Sequence, residues 1–436
     1  MCYAIPGQVV DINKKRLIVE YFGEKRKVLN EFLDISIGDY IYAQGGYAIN
    51  KIPEKEAVSI LTAWRETFFN LQKVDLKISK RDYKDKNIRK DIANILDKAV
   101  ENKDLSKKEL LKLMNIEKKE ELEMLYKTAN FLRRKYMGNS CCVHGIIEYS
   151  NNCVRNCKYC GISTYNSDIS RYNIEEKNIV KIANKAVNEH GFMALVLQSG
   201  ESDEYSIEKL CRIIKKIRKD IAVLIFISMG ELSRKELQKL YDAGARGFLL
   251  RFETSNEELY SKLHPGYRLE DRINCIQNAS DIGYFIVTGG LIGLPGQTRK
   301  DVLNSILLAR KLKTEMYSFA PFIPTPNTPL NSETSPEEKE VLKTLAISRI
   351  VDPENAKILI TTAFETINKS ARKNGLLAGG NSLMLNVTPD KYKNNYFLYP
   401  NRAHNNETIQ EQIDETVNLL NYLGRAPTDI GINWNS

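Results

Sequence analysis

From about residue 142 onward the sequence repeats one unit: a short apolar run, a loop, then an amphipathic helix. Eight runs have strand character: "VHGIIEYS", "MALVLQSG", "AVLIFISMG", "RGFLLRFE", "FIVTGGLIGLP", "MYSFAPF", "KILITTAF" and "LMLNVTP". They are near-continuously apolar, the pattern of strands covered on both faces. Helical stretches such as "SIEKLCRIIKKIRK" and "SRKELQKLYDAG" separate most of them. The helix after "GLPGQ" starts with a capping box, Thr298 to Asp301. An unbroken series of eight predicts an α/β fold, a parallel sheet closed into a complete (β/α)8 barrel of the TIM type. The competing arrangement is an open doubly wound sheet.

The first fifty residues read differently. "GQVVDI" and "RLIVEYF" are short strands, and "GDYIYAQGGYAINKI" carries a glycine pair that marks a bulge or sharp bend. We expect a small, OB-like β-barrel closed by the helix "EKEAVSILTAWRETFFNL". The expected organisation is 1–75 for this unit, 76–87 as a lysine-rich linker, and 88–436 for the rest. The last part divides into a helical lead-in, 88–138, ended by Gly138, and the barrel, 142–436.

The class is otherwise bounded by simple exclusions. No apolar run approaches the ~18 residues that span a bilayer, and no secretory signal opens the chain, so a cytoplasmic location is expected. The net charge of +9 comes from 64 basic and 55 acidic residues. Much of the lysine lies in mixed-sign helical stretches, a solvated helix face, and no basic block alternates with aromatics, so nucleic acid is not expected as a partner. Eight cysteines in 436 residues do not suggest a disulfide framework.

Three of those cysteines are clustered. "EYSNNCVRNCKYCGIS" places Cys153, Cys157 and Cys160 in the loop after the first barrel strand, spaced C-x3-C-x2-C. Three thiolates on one loop can ligate three irons of a 4Fe–4S cube. The fourth iron is then open to a chelating amine and carboxylate, which S-adenosylmethionine carries on its methionine end. Electron transfer into the sulfonium would yield a 5'-deoxyadenosyl radical. Zinc is the competing metal, though it usually takes four ligands, often as two separated pairs. Incidental buried cysteines are the third reading. The loop falls at the C-terminal end of a strand, where such barrels place active sites. Tyr159, just before the last cysteine, is placed to pack on an adenine ring.

These residues resemble the radical S-adenosylmethionine superfamily. Within it, residues 88–436 resemble the HydE family of FeFe-hydrogenase maturases, through "RRKYMG", "IIEYSNNCVRNCKYCGI", "LVLQSGE", "LLRFET", "GLIGLPGQT", "PFIPTPNTPL" and "ITTAF". The resemblance implies a barrel with the cluster at its mouth and a cavity down its interior. It implies S-adenosylmethionine contacts from Arg251 and Glu253 on the fourth strand, from Arg272 at the methionine carboxylate, and from Glu201 at the amino group. Arg251 and Glu253 alternate on a strand, and the less favoured reading makes them a barrel salt bridge and Arg272 a helix-surface arginine. Phe252 stands where the family often has His. Gln198, Thr361, Thr362, Tyr396 and Tyr399 match cavity-lining positions; the two threonines equally read as ordinary strand residues. His144, on the first strand, is a candidate to face the cavity, and the four histidines form no ligand pattern. Some family members carry a further C-terminal cysteine set for a second cluster. No cysteine follows Cys275 here, so a single 4Fe–4S cluster is expected.

Residues 1 to about 72 resemble the HypC family of NiFe-hydrogenase maturation chaperones, through "MCYAIPGQVVDI" and "GDYIYAQGGYAINKIPEKEA". In that family the second-residue cysteine binds an iron carrying cyanide and carbon monoxide, together with a partner protein. Cys2 is therefore an implied iron ligand, its soft thiolate suited to low-valent iron. The bland reading is a small apolar residue at a strand start. The family usually has a His where this chain has Gln44.

Two maturation-type units in one chain imply a radical enzyme of hydrogenase-type metallocofactor assembly. It would act on a small iron–cysteine–carbonyl–cyanide complex. The N-terminal unit would hold or deliver iron at the barrel mouth, and maturation proteins and an electron donor would be partners. A radical enzyme acting on an organic substrate, akin to methylornithine synthase, competes. So does a non-catalytic iron carrier or scaffold.

Overall fold

The structure is a computed structural model that describes residues 5–82, 87–202, 204–429 and 432–433. Cys2 lies outside the described residues.

The N-terminal unit consists of β1 (Gly7–Asn13), β2 (Arg16–Tyr21), β3 (Glu24–Leu29), β4 (Tyr40–Gln44), β5 (Tyr47–Ile52) and helix α1 (Glu54–Ile78). The order is β3-β2-β1-β4-β5, and a pairing of Leu29 with Tyr47 joins β3 to β5 and closes the barrel. Val9, Leu17, Val19, Val28 and Ile41 fill it. Gly45 and Gly46 both take positive φ, 60° and 81°, the backbone of a two-residue hairpin turn. Two features depart from expectation. β3, "EKRKVL", is a strand despite its charge, with Arg26 facing inward beside Val28. Helix α1 runs on to Ile78, through part of the stretch that reads as linker. Asp75 holds that last turn, pairing with Arg133 at 2.6 Å and Arg425 at 3.1 Å, all three buried.

Helices α2 (Lys90–Val100), α3 (Lys107–Met114) and α4 (Lys119–Met137) lead into the barrel, and α4 stops at Gly138 with φ 62°. The following strands are β6 (Cys142–Ser150), β7 (Ala194–Ser199), β8 (Leu224–Ser228), β9 (Gly247–Leu249), β10 (Phe285–Thr288), β11 (Leu291–Ile292), β12 (Met316–Tyr317), β13 (Ala320–Pro321), β14 (Lys357–Ile358), β15 (Ser382–Asn386) and β16 (Ile432–Asn433). The eight-stranded sheet runs β14-β12-β10-β9-β8-β7-β6-β15, and each neighbouring pair is parallel. A parallel bridge from Leu359 to Ser382 joins the two end strands, which decides for the closed barrel over the open sheet. β11 and β13 form a separate ribbon, and β16 returns to pair with β3. No disulfide joins the seven described cysteines. Among the described residues no helix is long and apolar enough to cross a membrane.

The two units are docked. Tyr47 and Ile49 of the N-terminal barrel are buried in one cluster with Cys142, Ala194, Leu224, Phe226, Phe285 and Met316, the lower layer of the barrel interior. Arg246 pairs with Glu31 at 2.6 Å, and Arg218 stacks on Phe32. This is the end where strands begin. The cysteine loop lies at the other end of β6, nine residues and about 30 Å of strand away. The expected placement of the N-terminal unit at the mouth is therefore corrected. Its apolar turn and β5 plug the base instead.

Candidate active site at the barrel mouth

The segments that follow β6, β7, β8, β9, β12, β14 and β15 at the C-terminal end of the barrel contribute to one cavity of about 260 Å³. Cys153, Cys157 and Cys160 line it. Their loop is pinned by backbone bonds from Val154 N to Glu201 O at 2.7 Å and from Gly161 N to Leu398 O at 2.9 Å. Arg171 gathers the loop by donating to the carbonyls of Asn151, Ile162 and Ser163.

The donor set fits a multi-iron cluster better than one ion. Burial pushes the Cys157 thiol up to about 12 and raises the Cys160 thiol as well. Thiols held this way ionise when a cation takes the thiolate. Ligands of a single tetrahedral zinc stand under about 4 Å apart. Among the described residues, the groups whose ligand atoms all lie within 4.8 Å are Cys142/His144/Asp429 and His404/Glu407/Glu415, not the triplet. Three sulfurs on one loop that do not converge on a point suit three corners of a cube.

The fold brings ten further expected site residues to this cavity: Tyr159, Gln198, Glu201, Arg251, Glu253, Arg272, Thr361, Thr362, Tyr396 and Tyr399 all line it. Their settings differ. Arg251 Nε lies 3.3 Å from Glu253 Oε1. Glu253 holds a left-handed backbone, φ 67°, uncommon for a residue with a side chain, and its Oε2 is buried without a hydrogen-bond partner among the described residues. Burial raises the Glu253 carboxyl, against the pull of Arg251 and Arg272. Arg272 is no surface arginine. It is half-buried, donates from Nε to the Arg251 carbonyl at 2.6 Å, and pairs with Glu231 at 3.0 Å.

Glu201 is already engaged. Its Oε1 accepts from Arg155 Nε at 2.6 Å, and its Oε2 accepts from the Glu231 backbone N–H at 3.1 Å. It sits on Gly230, φ 90°, where a Cβ would lie 2.1 Å from Glu201 Oε2. Arg155 also reaches Glu231 at 3.0 Å and lies over the Tyr267 ring, 3.6 Å from its centroid. The result is a chain of alternating charge, Glu201–Arg155–Glu231–Arg272, along the cavity rim. Tyr159 OH contacts His264 Nε2 at 2.8 Å. Burial lowers the His264 ring to about 3, so it is neutral. Its Nδ1–H donates to the Tyr260 carbonyl at 3.0 Å, and Tyr159 OH donates to Nε2.

Deeper in the cavity Gln198 Nε2 donates to Tyr396 OH at 3.2 Å. Thr361 and Thr362 are not strand residues: Thr361 caps the short helix Thr362–Ile367 directly after β14. His144 is not among the lining residues; it lies in the lower layer, 2.8 Å from Cys142 Sγ. Sequence reasoning missed Arg155, Glu231, His264, and the pair Glu148–Arg402, joined at 2.6 Å. The available signals were a charge inside the cysteine motif and an acid inside the apolar run "GIIEYS".

A closed barrel with a thiolate loop at its mouth, ringed by arginines and carboxylates, is the architecture of a radical S-adenosylmethionine enzyme, and residues 147–309 match the model of the Radical SAM superfamily. That class uses a 4Fe–4S cluster and S-adenosylmethionine. Residues 1–64 match the HupF/HypC family. The FeFe-hydrogenase maturase subunit HydE of Thermotoga maritima is 36% identical over 340 residues, 78% of this chain and 96% of that one. The chain belongs to the HydE family, with a HypC-type unit fused ahead of the barrel. The 3-methylornithine synthase of Methanosarcina acetivorans is 29% identical over 305 residues, 70% of this chain and 85% of that one. Among solved structures, methylornithine synthase PylB superposes with a TM-score of 0.68 at 25% identity, covering 77% of this chain and 97% of that one. The maturase HydG from Carboxydothermus hydrogenoformans shares the fold, with a TM-score of 0.65 at 21% identity over 81% and 83% of the two chains.

Proposed function

We propose that this chain is a radical enzyme of hydrogenase-type metallocofactor assembly, holding one 4Fe–4S cluster on Cys153, Cys157 and Cys160. Bound cluster and S-adenosylmethionine supply a 5'-deoxyadenosyl radical at the mouth. Arg272 and the Arg251–Glu253 pair orient the methionine end, a guanidinium suiting its carboxylate. Tyr159, fixed by its hydrogen bond to His264, offers a ring to the adenine. Gln198, Thr361, Thr362, Tyr396 and Tyr399 face the substrate.

The substrate is a small anionic iron–cysteine–carbonyl–cyanide complex. One observation carries this reading: an arginine lining the cavity keeps one buried donor unspent. That residue, Arg402, spends one end on Glu148 and keeps Nη1 buried without a partner among the described residues. A buried donor of this kind is costly unless something binds it. The HydE kinship over nearly the whole barrel supports the same reading. The described part of the N-terminal unit packs at the base of the barrel, and the role of Cys2 as an iron ligand stays part of this proposal.

Likeness to methylornithine synthase favours a second reading, an amino-acid substrate without iron. Anaerobic assays separate the two. Reconstituted, reduced protein should release 5'-deoxyadenosine faster with a synthetic iron–cysteine–carbonyl–cyanide complex than with any amino acid. Stimulation by amino acids alone decides for the second reading. No S-adenosylmethionine cleavage in either arm leaves the scaffold reading.

A further inference from the structure

At the base of the barrel, far from the cysteine loop, a second group of ligand-type side chains converges. Cys142 and His144 are two apart on β6, so both point into the barrel. Cys142 Sγ and His144 Nε2 are 2.8 Å apart. Asp429, from the C-terminal tail, completes a set whose ligand atoms all lie within 4.8 Å, and all three residues are buried. Gln44 closes the group from the N-terminal unit, its side-chain amide 3.7 Å from Cys142 Sγ and 1% exposed.

The group is polar, buried and incompletely satisfied. His144 is fully enclosed, yet its Nδ1 has no hydrogen-bond partner among the described residues. Asp429 Oδ2 is likewise buried without a partner among the described residues, and Oδ1 is 3.6 Å from Lys357 Nζ, too far for a good hydrogen bond. Buried polar atoms left this way call for a ligand or ion.

We infer that Cys142, His144 and Asp429 form a second metal site, fitted to a single divalent ion of the zinc type, at the seam between the HypC-like unit and the barrel. A thiolate, an imidazole and a carboxylate are a common donor set for such an ion. On a tetrahedral ion, sulfur and nitrogen ligands stand about 3.6 Å apart. The present pair therefore needs to open by less than about 1 Å. Gln44 supplies either its carbonyl oxygen as a fourth donor or its N–H as a hydrogen bond to the thiolate. Entry is from a cavity of about 780 Å³ between the two units, lined by Gly45, Tyr47 and Lys357. A Cβ on Gly45 would lie 3.9 Å from Asp429 Oδ2, so that glycine borders the site. The ion would tie three distant stretches of chain together: the β4–β5 turn, the first barrel strand and the tail. This site goes beyond the radical chemistry and does not depend on it.

The test uses the full chain with its cysteine triplet already occupied by reconstituted cluster. Zinc sulfate is added, excess is removed, and zinc is counted by plasma mass spectrometry. Zinc K-edge X-ray absorption, blind to the iron, reads the ligands. We expect one retained zinc per chain, with one sulfur near 2.3 Å and nitrogen or oxygen near ~2.0–2.1 Å. Cys142→Ser should remove the sulfur shell. His144→Ala and Asp429→Asn should weaken binding by at least about 100-fold, and Gln44→Ala by roughly 10–100-fold. Cluster content and S-adenosylmethionine cleavage, measured on the same samples, should stay at the parent level, which shows that the variants fold. No retained zinc, equal retention by Cys142→Ser and Asp429→Asn, or a three-sulfur shell from the triplet would each overturn the assignment.

Discussion

Replacing Asp75 by asparagine tests how the HypC-like unit is fastened to the barrel. Asp75, on the last turn of α1, is 1% exposed. Its carboxylate accepts from Arg133 at 2.8 and 2.6 Å, and Arg425 Nε lies 3.1 Å away. Both arginines are fully enclosed. The amide of Asp75→Asn would keep the shape but leave two guanidinium groups in the interior without their counter-charge. Removing one partner of a buried pair costs about 3–5 kcal/mol. At about 2–4 °C per kcal/mol, melting should fall by roughly 6–20 °C. Differential scanning calorimetry measures this, and trypsin release of the N-terminal unit should accelerate in parallel. Glu258→Gln, which breaks the exposed pair with Lys262, is the control and should leave melting unchanged. An Asp75→Asn loss below about 1 kcal/mol, the range of surface pairs, would refute the reasoning.

Three other substitutions probe the rim, the seam and the pH response. Glu201→Ala removes the carboxylate that fixes Arg155 beside the cluster loop. Charge-assisted hydrogen bonds are worth about 1.5–3 kcal/mol. S-adenosylmethionine affinity, read by equilibrium dialysis, should fall roughly 10–150-fold with cluster content intact. Tyr47→Ala opens a hole where the N-terminal barrel plugs the base, and calorimetry should show a loss of about 3–5 kcal/mol. Glu315 reports on pH. Burial pushes its carboxyl up to about 7 while it accepts the Ile286 backbone N–H. Between the ordinary value of 4.5 and about 7 the unfolded chain has lost this proton and the folded chain keeps it. Stability from this group is therefore full below 4.5 and is lost as pH rises to about 7. Glu315→Gln should flatten that part of the denaturation-against-pH curve.

Much of the barrel was legible because its strands are covered on both faces. β6 is buried at all nine positions, and an apolar run of that length is hard to misplace. The cysteine loop was legible because its chemistry is carried by spacing within eight residues. β3 was hidden because Arg26, not an apolar residue, occupies an inward position. The end of α1 was hidden because lysines flank Asp75, and only the arginines from α4 and the tail make that turn part of the core. The rim of the site was half visible. Arg251 and Glu253 lie just past the end of β9 rather than on that strand as expected, whereas Glu231 and Arg155 gain their meaning only when β7, β8 and the cysteine loop meet. Docking of the two units left no mark in the sequence, since Tyr47 and Ile49 read as ordinary strand residues.

Electron paramagnetic resonance of the anaerobically reconstituted, reduced chain, recorded before and after S-adenosylmethionine, bears most directly on the radical chemistry assigned to the barrel mouth. We predict a cubane signal that shifts on addition, with 5'-deoxyadenosine formed, and neither in Cys160→Ala. A chain that assembles no cubane, or one whose signal is indifferent to S-adenosylmethionine, would contradict that assignment.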